Sequence, residues 1–167
     1  MRVKFIVDED FVNYKKASMF IGTISCGGKC CIEANLPLSV CQNDGWRAEN
    51  AIEISDDELI QRYLRNDLTS AIVFGGLEPF EQFEEMLEFI NTLRYTYNCN
   101  DDVVIYTGHT EEEISQELLA LRNIPNIIVK VGRFIPNSAS RYDEILGVTL
   151  ISDNQYAICL SEFDKKE

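Results

Sequence analysis

The chain has 167 residues, 46% of them hydrophobic and 26% charged, which suits one globular domain (1–167) with a substantial core and leaves little length for a second. With 28 acidic against 15 basic residues the net charge is −13, excluding nonspecific attachment to nucleic acid or to an anionic membrane surface and favouring partners that present an electropositive patch. No apolar run approaches the ~18 residues of a membrane span, and residues 1–8 lack the apolar core and cleavage site of a secretory signal.

The expected compartment is therefore cytoplasmic, where cysteines stay reduced and a tight group of them means metal or catalysis more often than disulfides. Residues 2–7 alternate polar and apolar and predict a first strand, with Asp8, Glu9 and Asp10 as a polar turn. Residues 18–24 predict a second, mostly apolar strand that runs into a loop over about 25–50. Loops of that length in compact domains are usually functional or disordered. This one carries four of the six cysteines, Cys26, Cys30, Cys31 and Cys41, within sixteen residues. Cys99 and Cys159 stand alone and read as ordinary thiols.

Ser55 with Glu58 three residues on has the pattern of a capping box and opens a predicted helix to about Arg65. Residues 71–74 form a short apolar strand ending at Gly75 and Gly76. A helix from about Phe80 to Tyr95 places Phe83, Met86, Leu87, Ile90 and Leu93 on one side. Residues 102–106 are the next strand, closed by Thr107, Gly108 and His109. Thr110 and Glu113 cap a helix to about Leu121, and 126–131 form a further strand ending at Gly132 and Arg133. Two last strands are expected at 145–151 and 156–160, joined by a turn at Ser152, Asp153 and Asn154. Strand and helix in alternation imply βαβ units, an α/β fold with a largely parallel sheet. In such folds sites gather at the C-terminal ends of the strands. The cysteine loop, the glycine pair, Thr107 to His109 and Gly132 with Arg133 all follow strands and are expected on one rim.

Thiolate sulfur is a soft ligand suited to zinc, copper(I) or iron–sulfur clusters rather than magnesium or calcium. Four thiolates can close a tetrahedral zinc shell, although the paired Cys-x-x-Cys knuckles usual in such sites are absent. Adjacent thiols such as Cys30 and Cys31 point apart in most backbone conformations, so one of the two is expected to ligate.

Four segments together resemble the radical S-adenosylmethionine (radical SAM) superfamily, and most of all the activating enzyme of the anaerobic, class III ribonucleotide reductase. Cys41-Gln42-Asn43 is similar to the end of that family's cluster loop. Phe74 to Phe80, with Gly75, Gly76, Glu78 and Pro79, resembles its Gly-Gly-acidic-Pro motif. Tyr106-Thr107-Gly108, followed by Glu112 and Glu113, resembles its aromatic-Thr-Gly strand end. Gly132 to Ile135 with Ser152 to Gln155 resembles its Gly-x-Phe and Ser-Asn-Gln elements. The likeness extends over about residues 18–156.

That resemblance implies an open partial (β/α) barrel and a [4Fe–4S] cluster held by three thiolates, with S-adenosyl-L-methionine on the fourth iron. It implies an oxidoreductase that cleaves SAM reductively to a 5′-deoxyadenosyl radical. The expected partners are a protein substrate, a glycyl radical enzyme such as the reductase itself, and an electron donor such as flavodoxin or ferredoxin. The implied ligands are Cys26, Cys30 and Cys41, with Cys31 in reserve. The implied SAM contacts are Gly75, Gly76, Glu78, Thr107, Gly108, His109 and Asn154. The chain departs from the pattern at Glu33, where the third cysteine usually stands, and at Leu77, inserted between Gly76 and Glu78. Other readings stay open: Gly75-Gly76 as a tight turn, His109 as an ordinary loop residue, Arg133 paired with the SAM carboxylate or with Glu162. A radical SAM enzyme acting on another peptide or small molecule, and a zinc-bound or metal-free interaction domain, are the rival functions.

Overall fold

The computed structural model describes residues 1–160. Six strands form one sheet: β1 (Phe5–Asp10), β2 (Ser18–Gly22), β3 (Ala71–Gly75), β4 (Asp102–Tyr106), β5 (Ile127–Val131) and β6 (Tyr156–Cys159). Their spatial order is β6-β5-β4-β3-β2-β1. The four central strands are parallel, and the two edge strands run antiparallel to their neighbours. The architecture is thus mixed α/β with a mixed sheet, and no pairing among the described residues closes it into a barrel. Strands β2, β3 and β5 are buried at every position, as expected of parallel strands covered on both faces.

Five α-helices accompany the sheet: α1 (Lys29–Glu33), α2 (Asp44–Ala48), α3 (Asp56–Leu64), α4 (Phe83–Asn91) and α5 (Ser115–Leu121). The side chain of Ser55 accepts a hydrogen bond from the Glu58 amide at 3.1 Å, so the expected N-cap is made. At Thr110 the reverse half of the box forms: its amide donates to Glu113 Oε2 at 2.9 Å. The segment predicted as one helix over 80–95 divides into a 3₁₀ turn (Pro79–Gln82), α4 and a π-helical turn (Thr92–Thr96).

Helices α3, α4 and α5 all pack on one face of the sheet, where Ile21, Ile72, Phe74, Ile105 and Val129 meet Ile60, Phe89 and Leu118. The opposite face carries Phe20, Val73, Val104 and Ile128 and is partly covered by Leu146 and Leu150. Those two leucines come from a hairpin whose arms, Arg141–Asp143 and Val148–Leu150, pair with each other. The C-terminal expectation is corrected here. The segment 145–151 does not pair with 156–160; β6 instead pairs with β5, Tyr156 opposite Val131. Asp143 decides the arrangement. Its buried carboxylate accepts from the Leu146 amide and from the Ala157 amide, both at 2.9 Å, tying the hairpin to β6.

Strand β1 also continues beyond the predicted end, through an irregularity between Val7 and Asp10. The Asp10 carboxylate accepts from the Asn13 amide and side chain, so the polar turn begins after it. No described helix is long and apolar enough to cross a membrane.

Candidate metal centre

The cysteine loop is not free chain. Its start is stitched to the turn after β3: the Glu78 amide donates to Ser25 O at 2.8 Å, the Ile24 amide donates to Gln82 Oε1 at 3.2 Å, and the Gly27 amide donates to Glu81. Its far end rests on β1, where Trp46 packs on Phe5 with ring centroids 4.2 Å apart and Lys4 donates to the carbonyls of Arg47 and Glu49. A lysine at the last carbonyls of a helix is a favourable C-terminal contact, here for α2.

Between these anchors Gly28, in the left-handed region at φ 72°, lets the chain turn into α1. Cys30 and Cys31 therefore sit in the first turn of that helix. Arg133 then clamps α1 to the rim: it donates to Glu33 Oε2 at 2.9 Å, to Glu113 Oε1 at 2.6 Å and to the Gly108 carbonyl. Arg133 thus pairs with the acidic residues Glu33 and Glu113, while Glu162 lies outside the described residues. Bonds from Arg133 and Lys29 hold the Glu113 carboxyl well below its ordinary range.

All four loop cysteines line one cavity of about 520 Å³, which lies at the C-terminal ends of the parallel strands and extends over the hairpin-covered face of the sheet. Gly76, Leu77, Glu78, Thr107, Gly108 and Gln155 line it with them. Gly75, His109 and Asn154 do not. Gly75 forms the strand end beneath, His109 Nδ1 stands 3.4 Å from Glu113, and Asn154 Nδ2 donates to the Arg133 carbonyl at 3.1 Å.

Glu78 is 6% exposed, and its carboxylate joins two strand ends. Oε1 accepts from the Thr107 hydroxyl at 2.7 Å and the Phe80 amide at 3.2 Å, while Oε2 accepts from the Gly108 amide at 2.9 Å. Oε2 keeps a lone pair for one further donor in the cavity. Leu77, the inserted residue, is buried against the cavity wall and does not interrupt this joint. Cys30 reaches across to the same place: a Cβ at residue 108 would lie only 2.8 Å from Cys30 Sγ, so a larger residue there would have to displace the thiol.

Two cations that the sequence reading passed over flank the thiols. Arg47 donates to the Cys26 carbonyl, pairs with Asp44 at 3.1 Å, and stands close enough to Cys26 and Cys41 to feel their charge. Lys130, the fourth of the five residues of β5, is 6% exposed and donates to Thr107 O and Gly132 O, both at 3.2 Å. Burial lowers its ammonium to about 8, against the pull of Cys30 and Glu78. A lysine inside the apolar run 127–131 was the available signal, because a charge in a strand covered on both faces is rarely accidental. Nothing in the spacing of Arg47 distinguished it.

Burial raises the Cys26 thiol, with the Gly28 amide and Arg47 opposing. Burial also raises Cys31, to which Cys41 and Cys30 add and which Arg47 opposes. Loading with metal must displace these protons. Among the described residues no three His, Cys, Asp or Glu side chains converge as the shell of one metal ion. A four-iron cube asks for less convergence, since each thiolate binds a different iron. The donor set, soft sulfur in a cavity wide enough for an extended group and flanked by cations, fits an iron–sulfur cluster.

Comparison with protein-family models agrees with this chemistry: residues 31–156, well over half of the chain, match the model described as a 4Fe-4S single cluster domain. No curated protein and no solved structure matches.

Proposed function

Because the chain belongs to the 4Fe-4S single cluster domain family, we propose that its cluster serves radical SAM chemistry, in a fold corresponding to an open partial barrel, and that its substrate is a glycyl radical enzyme such as anaerobic ribonucleotide reductase. The observation that carries the reading is the shared cavity. The loop cysteines line it together with Gly76, Glu78, Thr107 and Gly108, four of the seven residues that the family likeness assigns to SAM.

Cys26, Cys30 and Cys41 would hold the cluster, Cys31 being the alternative to Cys30. When bound, a [4Fe–4S] cluster with one open iron supplies the electron that cleaves SAM to methionine and a 5′-deoxyadenosyl radical, which takes a hydrogen atom from the substrate. The protein's part is to orient and to exclude water. Glu78 Oε2 offers an acceptor to an incoming ammonium group while its other bonds keep the glycine turn and the strand end in register. The apolar wall formed by Phe20, Leu77, Phe134 and Leu150 sequesters the space between them.

A polypeptide substrate suits the rim of the cavity. Val7, Val12, Val40 and Ile151 line it yet remain 43%, 74%, 43% and 45% exposed, an apolar border that a protein partner would cover. A one-electron donor of the flavodoxin or ferredoxin class would complete the cycle.

The test is anaerobic reconstitution with iron and sulfide, followed by low-temperature EPR of the dithionite-reduced protein with and without SAM. The expected result is a [4Fe–4S]⁺ signal that changes on addition of SAM and disappears in Cys26→Ala and Cys41→Ala. Comparing Cys30→Ala with Cys31→Ala identifies the third ligand. A cluster signal indifferent to SAM would leave an iron–sulfur protein of another activity, and one tightly held zinc in place of a cluster would overturn the catalytic reading.

A further inference from the structure

We propose that Lys130 is the buried counter-charge of the iron–sulfur centre, a positioning residue that sets the reduction potential of the cluster; this rests on the cluster reading above. The residue lies on β5, to which none of the loop cysteines belongs, and lines the same cavity as they do. Its Nζ is held between two backbone carbonyls, Thr107 O and Gly132 O, at 3.2 Å each. No carboxylate pairs with it among the described residues. Glu78, whose charge reaches Lys130 across the cavity, is fixed by bonds from Phe80, Thr107 and Gly108 and makes no ion pair with it.

A cation that is 6% exposed and has only carbonyl partners is expensive to keep, because burial removes its hydration and neutral dipoles replace it only in part. Glu78 supplies one negative charge within reach of it, and an anionic group bound in the cavity would supply more. Lys130 lines that cavity beside Cys30, whose sulfur packs against Gly108, one residue along from the carbonyl that Lys130 binds. The Tyr106 ring, 6.0 Å from Nζ, closes the other side with an electron-rich face. A four-iron cluster on three thiolates is anionic and becomes more so by one charge on reduction. A fixed cation in a low-dielectric wall therefore stabilises the reduced form more than the oxidised one. Arg47 is the weaker candidate for this role, since it already pairs with Asp44 and stands 21% exposed.

The experiment compares wild type, Lys130→Gln, Lys130→Met and Lys130→Arg after anaerobic reconstitution, reading iron and sulfide content and the midpoint potential by EPR-monitored titration with dithionite and mediator dyes. Equal loading with a more negative potential in the two neutral variants, and a potential near wild type in Lys130→Arg, is the expected result. Failure of both neutral variants to load while Lys130→Arg loads would also support a required charge. An unchanged potential in a loaded neutral variant overturns the inference, including the case in which only SAM binding weakens, which would give the ammonium to the cosubstrate. Loss of the cluster from all three variants overturns it as well, by showing that the side chain acts through its shape. Absence of a cluster from wild type removes the cluster reading and this inference together.

Discussion

Gly108 has no side chain because Cys30 fills the place where one would stand, 2.8 Å from a Cβ at that position. Gly108→Ala must therefore push Cys30 out of the cavity or move the strand end. Iron and sulfide bound per chain after reconstitution should fall well below wild type in this variant, while its far-UV circular dichroism stays unchanged. Glu78 illustrates the opposite economy, one carboxylate doing the work of three separate contacts. In Glu78→Gln one oxygen becomes an amide NH₂ that faces either the Gly108 amide or the Phe80 amide, donor against donor. Leaving a buried donor without an acceptor costs on the order of 1–3 kcal/mol. Urea titration of the metal-free protein should show a loss of that size with an unchanged m-value.

At the scale of elements, the short helix α1 owes its position to ion pairs rather than to apolar packing. Of its five residues only Cys31 is buried, and Arg133 with Lys29 joins it to Glu113. Glu113 is held below its ordinary value of 4.5 by its bonds to Arg133 and Lys29. A carboxylate depressed in the folded state contributes stability that is fully present above its unfolded value and is lost as pH falls through the folded one. The attachment of α1 is thus expected to weaken progressively as pH falls below about 4.5, and not on the alkaline side. Hydrogen exchange at the amides of residues 29–33 should quicken between pH 5 and pH 3 relative to those of β3. In Arg133→Gln the same amides should exchange quickly already at pH 5. Exchange that keeps the same ratio to that of the β3 amides at both pH values in wild type would show that α1 is held by something other than these pairs.

For the whole molecule, the loop is tied at its base, at α1 and at its far end by polar contacts, and a metal bound by its cysteines would add a further cross-link. Anything that binds only the folded state stabilises it by mass action. Reconstituted protein should melt at a distinctly higher temperature than the metal-free form, and Cys26→Ala or Cys41→Ala should abolish the gain while leaving the metal-free melting point close to wild type. The sequence by itself determined the α/β alternation, the apolar central strands and the metal-binding character of the loop, because each is written in local periodicity or in the chemistry of sulfur. It also placed the cysteine loop, Gly75 with Gly76, Thr107 to His109 and Gly132 with Arg133 on one rim, since parallel strands all end on the same side of a sheet. Tertiary structure alone decided that β6 returns to β5 rather than to the preceding segment, through the two bonds of Asp143. Only it turned Arg133 toward Glu33 and Glu113, left His109 and Asn154 out of the cavity lining, and brought Arg47 and Lys130 to the thiols. The reason is one of range: burial and chain direction follow from neighbours along the chain, whereas the partner of a charge or of an edge strand is chosen by residues tens of positions away, and no local pattern records that choice.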